Sequence, residues 1–322
     1  MIKLTHMLTY FKACLLSLLL LGISFHANAS HLAAADIHVD YVGTGPTDYT
    51  YKVTLNVYKS CEPSSIDLSM SETLWWQSSC YALTSSDMGT PIVDTLDHLC
   101  DTFKSINSCR DLTSPFPAFV RHTWVKIVTL PGPCKDWVFY YCEGARNSKI
   151  LNLLNPSSAS IYVDALINNT TRAAVSSPRY TIDPIPYFCL NVGSFFPNAP
   201  TDPDGDSLVS LNAQPRTCTP AAPIAYSCAP TPPTAPYCYS LLDPIASKSS
   251  DLYKVDANTG TASFTPTITG KFVLAFQTRA YDKVTKQLMS YTTRDVQVSV
   301  LGCTSPPPTN DTFPSKTVGC YV

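Results

Sequence analysis

Charged residues are scarce in this chain. Lys, Arg, Asp and Glu make up 14 % of its 322 residues and leave a net charge of −2. There is no basic stripe and no acidic tail, which argues against nucleic acid as a partner. Histidine is scarcer still: beyond the first thirty residues only His31, His38, His98 and His122 occur. Neither G-x-S-x-G nor H-E-x-x-H is present, which removes nucleophile-elbow hydrolases and helix-borne zinc proteases. C-x-x-C is also missing, and with it zinc ribbons and thioredoxin-type redox chemistry. A glycosidase built on two carboxylates leaves no such signature and stays open, although nothing in the sequence points to one. Past residue 30 no stretch is long and apolar enough to span a bilayer, so no membrane span is expected in the mature chain. Amphipathic helices are lacking too. The one short helical piece expected covers Ser148 to Leu154, where Ile150, Leu151, Leu153 and Leu154 cluster.

What is present begins with an export signal. Lys3 and Lys12 form a basic start, Ala13 to Phe25 is apolar and uncharged, and Ala27-Asn28-Ala29 supplies a small-x-small cleavage pattern. The reading is a signal peptide over residues 1–29, with a mature chain that starts at Ser30. An uncleaved anchor is the weaker alternative, because the apolar run falls short of the ~20 residues a span needs. Twelve cysteines follow the cleavage point: Cys61, Cys80, Cys100, Cys109, Cys134, Cys142, Cys189, Cys218, Cys228, Cys238, Cys303 and Cys320. An even count in an exported chain reads as a disulfide framework. One pairing is excluded by reach. Cys134 and Cys142 flank a strand-like run that holds them ~26 Å apart, whereas a bridge needs Cα atoms within ~7 Å.

The patterning is period two. Tyr49, Tyr51, Val53, Leu55 and Val57 alternate with polar residues, as do Ile37, Val39 and Tyr41. Ile161, Val163 and Ala165 do the same, as do Phe272, Leu274 and Phe276, and Val296, Val298 and Val300. These are half-buried strands. Trp124, Val125, Ile127, Val128 and Leu130 predict a strand covered on both faces. The fold class that follows is all-β, two antiparallel β-sandwich domains of the Ig-like kind after the signal peptide. The first domain is placed at 30–180 and is disulfide-rich. The second is placed at 181–302, with a Pro- and Cys-rich loop insertion at 215–238 held down by disulfides, because proline cannot donate to a central ladder. Residues 303–322 form a Pro-rich tail.

Several short motifs carry a resemblance. They are Ser30-His31, Val57-Tyr58-Lys59-Ser60-Cys61, Leu130-Pro131-Gly132-Pro133-Cys134-Lys135-Asp136-Trp137-Val138-Phe139, Arg146-Asn147, Pro184-Ile185-Pro186-Tyr187, Asp202-Pro203-Asp204-Gly205-Asp206-Ser207-Leu208, and Thr293-Arg294-Asp295-Val296-Gln297-Val298 before Cys303. In this order they resemble the N-terminal region of large secreted surface proteins of Bacteroidetes-type bacteria, the gliding-motility-associated and PKD-domain proteins. The second domain looks like a cadherin-like or bacterial Ig-like module, through Asp256-Ala257-Asn258-Thr259-Gly260, Phe264-Thr265-Pro266 and Gly270-Lys271-Phe272. The resemblance implies a non-catalytic protein, secreted or on the outer cell surface, with a structural or adhesive role. Its partners would be surface polysaccharide or other surface proteins.

Two sites stand out chemically. Asp202, Asp204 and Asp206 place three carboxylates within five residues, across Pro203 and Gly205. Calcium takes six to eight hard oxygens, and a turn of this kind converges several. It is not an EF-hand, because Ala213 stands where a bidentate glutamate would be needed. Asp282 and Asp256 are the residues expected to help complete the shell. The alternative is a solvated turn without metal. Trp75-Trp76 is the pair most like a sugar platform, but neighbours on a strand point to opposite faces. One of the two is therefore expected in the core. An extracellular glycan-binding module is the alternative function, and it requires an exposed aromatic strip. A secreted hydrolase ranks third and requires two converging carboxylates.

Overall fold

The structure is a computed structural model that describes residues 32–61, 71–96, 107–114, 116–144, 146–218, 222–231 and 235–303. The expected signal peptide, nearly all of the Pro-rich tail, Cys100 and Cys320 lie outside these residues. Eight strands come first in the chain: β1 (Leu32–Tyr41), β2 (Thr50–Ser60), β3 (Thr73–Gln77), β4 (Thr84–Asp87), β5 (Ile92–Leu96), β6 (Phe119–Thr129), β7 (Trp137–Glu143) and β8 (Ile161–Ile167). Short strands follow: β9 (Arg179–Tyr180), β10 (Tyr187–Cys189), β11 (Ser194–Phe196), β12 (Pro200–Thr201), β13 (Ser207–Ala213), β14 (Cys228–Thr231), β15 (Ala235–Cys238), β16 (Lys254–Val255) and β17 (Ala262–Phe264). Two long strands close the series, β18 (Gly270–Tyr281) and β19 (Leu288–Leu301). The chain is all-β: among the described residues no α-helix occurs, and the one helical turn there is a 3-10 turn at Pro156–Ser158.

Twelve of these strands form one large sheet whose main path runs β4-β3-β7-β8-β19-β1-β2-β6-β5. All pairs in it are antiparallel except β10 with β19. The two ends of this path, β4 and β5, are joined by only the four residues 88–91. That connection reaches about 17 Å at full extension, so the sheet must curl until its edges approach. The interior of the curl is filled by Ile37, Val39, Val53, Leu55, Trp124, Trp137, Phe139 and Val163, among others, all buried. The alternation expected for β1, β2 and β8 is what sends Ile37, Val39, Val53, Leu55 and Val163 inward.

Strand β19 organises the sheet. Along one edge it pairs with β18 from Leu288 to Val300. Along its other edge it serves three strands in turn: β8 at Ser290–Thr292, β1 at Arg294–Val296 and β10 at Ser299–Leu301. β8 and β1 therefore diverge from a single strand, and each leads one wall of the curl. A second core lies beyond the fork. There Phe272, Leu274, Phe276, Val296, Val298 and Val300 pack with Phe188, Phe196 and Phe264, and Ala33, Ala34, Tyr58 and Phe119 enter it from the first half of the chain.

Polar residues mark the fork. Arg294 and Asp295 are neighbours on β19 and so point to opposite faces. Arg294, 2 % exposed, donates from Nε and Nη2 to Asp36 on β1 (3.1 and 2.8 Å), and from Nη1 to the Ile182 carbonyl at 2.8 Å. Its guanidinium lies 4.3 Å from the Tyr180 ring centroid. On the other face Asp295 accepts two parallel bonds from Arg146 (2.7 and 2.8 Å), and Arg146 also donates to the Ser160 carbonyl. Both pairs are buried, and every nitrogen of each guanidinium has an acceptor. This is the condition under which a buried ion pair is tolerated.

Among the described residues five disulfides join ten cysteines: Cys61–Cys109, Cys80–Cys134, Cys142–Cys218, Cys189–Cys303 and Cys228–Cys238. Cys134 and Cys142 bond to different partners, as reach required. The Pro-rich segment is tied to β7 through Cys218, and within it β14 and β15 form a hairpin bridged by Cys228–Cys238 that, among the described residues, pairs with no other strand.

Two local expectations are corrected. Ser148–Leu154 is not helical. Its backbone bonds run outward instead, from Leu151 N to the Lys271 carbonyl and from Leu154 N to the Ala225 carbonyl, and the Asn152 side chain caps both polar groups of Val273. Tertiary partners outbid the local propensity. β6 is covered on one face only: Trp124 and Val128 are buried, but Val125 and Ile127 are 46 % and 55 % exposed. An apolar run does not distinguish a doubly covered strand from one that carries apolar residues outward.

Two outcomes are expected. Non-reducing peptide mapping should recover the five bridges above, and a different partner for Cys142 or Cys189 would contradict the topology. Asp295→Ala should destabilise the chain by about 3–5 kcal/mol in urea with disulfides intact, because it strands the buried Arg146 charge. A loss under ~1 kcal/mol would show that the pair does not hold the fork.

Candidate functional site

The aspartate turn lies between β12 and β13. Gly205 takes a left-handed backbone (φ +75°), and nothing stands within 4 Å of where a Cβ would be. The turn converges its carboxylates: Asp202, Asp204 and Asp206 each offer an oxygen, all within 4.8 Å of one another. Asp202 Oδ1 accepts the backbone N–H of Asp204 and of Asp206, both at 3.0 Å, and Asp204 Oδ2 accepts the Ser176 N–H at 2.7 Å. Asp202 Oδ2 is buried without a partner. Burial raises the Asp202 carboxyl above its ordinary value, with the neighbouring carboxylates adding to the effect, and burial likewise raises Asp204.

A cation is already at hand. Arg172, in the segment that follows β8, donates from Nη2 to Asp206 at 2.7 Å and lies 3.6 Å from Asp204. The two expected helpers stand apart in role. Asp282 Oδ1 accepts from Val284 N and Thr285 N of its own turn, and Asp256 Oδ1 accepts from Asn258 N and Thr259 N of its own. The protein thus fits a calcium ion in part. Three carboxylates, one of them with an orphaned oxygen, offer atoms within 4.8 Å of one another, short of the six to eight ligands calcium takes, and an arginine competes for the place.

A groove on the outer face of β13, β18 and β19 escaped the sequence reading. Cross-strand register stacks Val209, Arg279 and Tyr291 beside Leu211, Gln277 and Thr293, and then Ala213, Ala275 and Asp295. The Pro-rich segment closes one side with Pro215, Arg216 and Pro223, leaving a cavity of about 290 Å³ that reaches Tyr162 on β8. Arg216 pairs with Asp164 and lies 4.7 Å over the Tyr162 ring. Asp164 also accepts from the hydroxyls of Tyr291 and Thr293, at 3.1 and 3.0 Å. No short motif marks this groove, because its residues come from four separated segments.

The tryptophan pair divides as strand geometry requires. Trp76 packs against the first core. Trp75 points outward on the same face as Tyr140, its partner on β7, and their rings are near parallel with centroids 6.5 Å apart. Tyr140 in turn lies 5.5 Å from Tyr162. A row of rings therefore leads from β3 to the groove.

One further carboxyl is perturbed. Glu72, 5 % exposed beside β3, is pushed up to about 7 by burial, with Glu143 adding to the rise. The sign of its linkage follows. An acid raised in the folded state gives its full stabilisation below its ordinary value of 4.5 and loses it as pH climbs through about 7. The urea midpoint should accordingly fall between pH 5 and 8 by more in the wild type than in Glu72→Gln. Equal slopes in the two proteins would show that Glu72 does not titrate in this window.

No family model matches the chain, and no curated protein matches it either.

Proposed function

We propose that this chain is a non-catalytic protein, secreted or held at the outer cell surface, with a structural or adhesive role. On this reading its two cores belong to two Ig-like β-sandwich units that share β19. The observation that carries the proposal is the condition of the carboxylates at the groove. A glycosidase needs one carboxyl free to give a proton and a second roughly 5 to 9 Å away as nucleophile or base. Asp295 is held by both arms of Arg146, and Asp164 by Arg216, Tyr291 and Thr293. Both carboxylates are thus committed to partners within the fold. Glu72 has a value suited to acid chemistry but is buried in the wall of the first core. Five disulfides and the absence, among the described residues, of any helix able to cross a membrane agree with an extracellular setting. The motif order shared with large bacterial surface proteins agrees as well. Incubation with a panel of plant, algal and bacterial polysaccharides should release no reducing ends. Release that disappears in Asp164→Asn or Asp295→Asn would overturn the reading.

Calcium is the second element of the proposal. Asp202, Asp204 and Asp206 would be its protein ligands, and Arg172 would swing out to solvent as the ion enters. What favours this is the buried, unpartnered Oδ2 of Asp202. A ligand that binds only the folded form stabilises it by RT ln(1 + [L]/Kd), about 2.7 kcal/mol at a hundredfold excess over Kd. Extracellular sites work near ~10⁻⁴ to 10⁻³ M. Millimolar calcium should therefore raise Tm by a few degrees, less in Asp204→Asn and more in Arg172→Ala. An unchanged melting curve with and without chelator, in both the wild type and Arg172→Ala, would leave the turn as an Arg172-neutralised structural element.

A further inference from the structure

The groove at Tyr162 carries one charge that the fold does not use. Of the charged groups on that face, Arg146 is paired with Asp295 and Arg216 with Asp164. Arg279 is different. Its described contact is a single bond from Nε to Gln277 Oε1 at 2.7 Å, and no carboxylate faces it among the described residues. Three guanidinium groups stand against two carboxylates, so the groove keeps one net positive charge in a chain whose net charge is −2. The Gln277 bond engages only Nε and fixes the plane of the guanidinium. Both terminal nitrogens remain available, and that fork matches a carboxylate in a bidentate geometry.

The surroundings define the rest of the ligand. Beside Arg279 the floor is Leu211 and Gln277, and beyond them it is small and apolar at Ala213 and Ala275. Gln214 donates to the Ile224 carbonyl at 2.8 Å, which leaves its Oε1 to accept from a hydroxyl. At the far end Tyr162 opens onto Tyr140 and Trp75, in steps of 5.5 and 6.5 Å. A cavity of about 290 Å³ with a few convergent polar groups is at the small end of ligand sites, and an open row of rings beyond it suits an extended ligand. We propose that this groove binds a uronate-bearing glycan: Arg279 pairs with the sugar carboxylate, Gln214 receives a hydroxyl, and Tyr140 and Trp75 support the following residues of the oligosaccharide. This site names the ligand for the adhesive reading above and rests on it.

The test is calorimetric titration of the full mature chain with tetrasaccharides of galacturonate, mannuronate and glucuronate, each beside its methyl ester. At least one acid should bind, and its ester should bind at least tenfold more weakly. Arg279→Gln should lose that preference while keeping the wild-type Tm, since no ion pair is broken. Arg279→Lys should retain part of it. Tyr140→Ala should weaken acid and ester together. Absence of binding by all three acids, equal binding of acid and ester, or wild-type affinity in Arg279→Gln would each overturn the assignment. Those results would leave the non-catalytic reading standing. Cleavage of a bound tetrasaccharide would sink that reading instead.

Discussion

Two ion pairs on opposite faces of one strand set the geometry of this molecule. Arg294 reaches Asp36 on β1, and Asp295 receives Arg146 from the loop that joins β7 to β8. Taking these four charges out of water costs several kcal/mol per ion, which only complete pairing offsets. Their contribution is therefore to specificity more than to net stability. A slip of one residue along β19 would turn Arg294 toward Arg146 and Asp295 toward Asp36, with every apolar neighbour reversed as well. The register in which both pairs form also lets β8 and β1 leave the same edge in different directions. The curl of the sheet and the placing of both cores follow from that divergence.

The disulfides act around this frame rather than in it. Cys189–Cys303 fastens the parallel strand β10 to the end of β19, and Cys61–Cys109 clamps the end of β2. Cys142–Cys218 has the clearest functional consequence. It pins the Pro-rich segment to β7, so that Arg216 meets Asp164 and stands as one wall of the groove. A chain of low charge and high proline content thus obtains a shaped surface from a segment that could not take part in a central ladder.

Much of the architecture was legible in the sequence. Alternation in β1, β2, β8, β18 and β19 is a local property, and it gave the strands and the inward faces. What escaped was non-local. The sequence cannot say that β19 pairs with β1, more than 250 residues upstream, nor that Arg146 finds Asp295 across 149 positions. The large sheet accordingly takes strands from both sides of residue 180, where prolines interrupt the pattern. The aspartate cluster was visible as spacing, but Arg172, thirty-four residues before Asp206, was not. The groove had no signal, because Arg279 matters only through the carboxylate it lacks.

Both cores hang on one strand and should therefore share one cooperative fold. Native-state hydrogen exchange with the disulfides intact tests it most directly, since amides that open together report a common free energy. Amides of β8, β1 and β18 that pair with residues 290–296 of β19 should exchange with the same, highest free energy, whichever half of the chain they come from. In Asp295→Ala all three sets should fall together. Protection that separates into two levels, one for residues 32–167 and another for residues 187–301, each unmoved by loss of the other, would contradict the account.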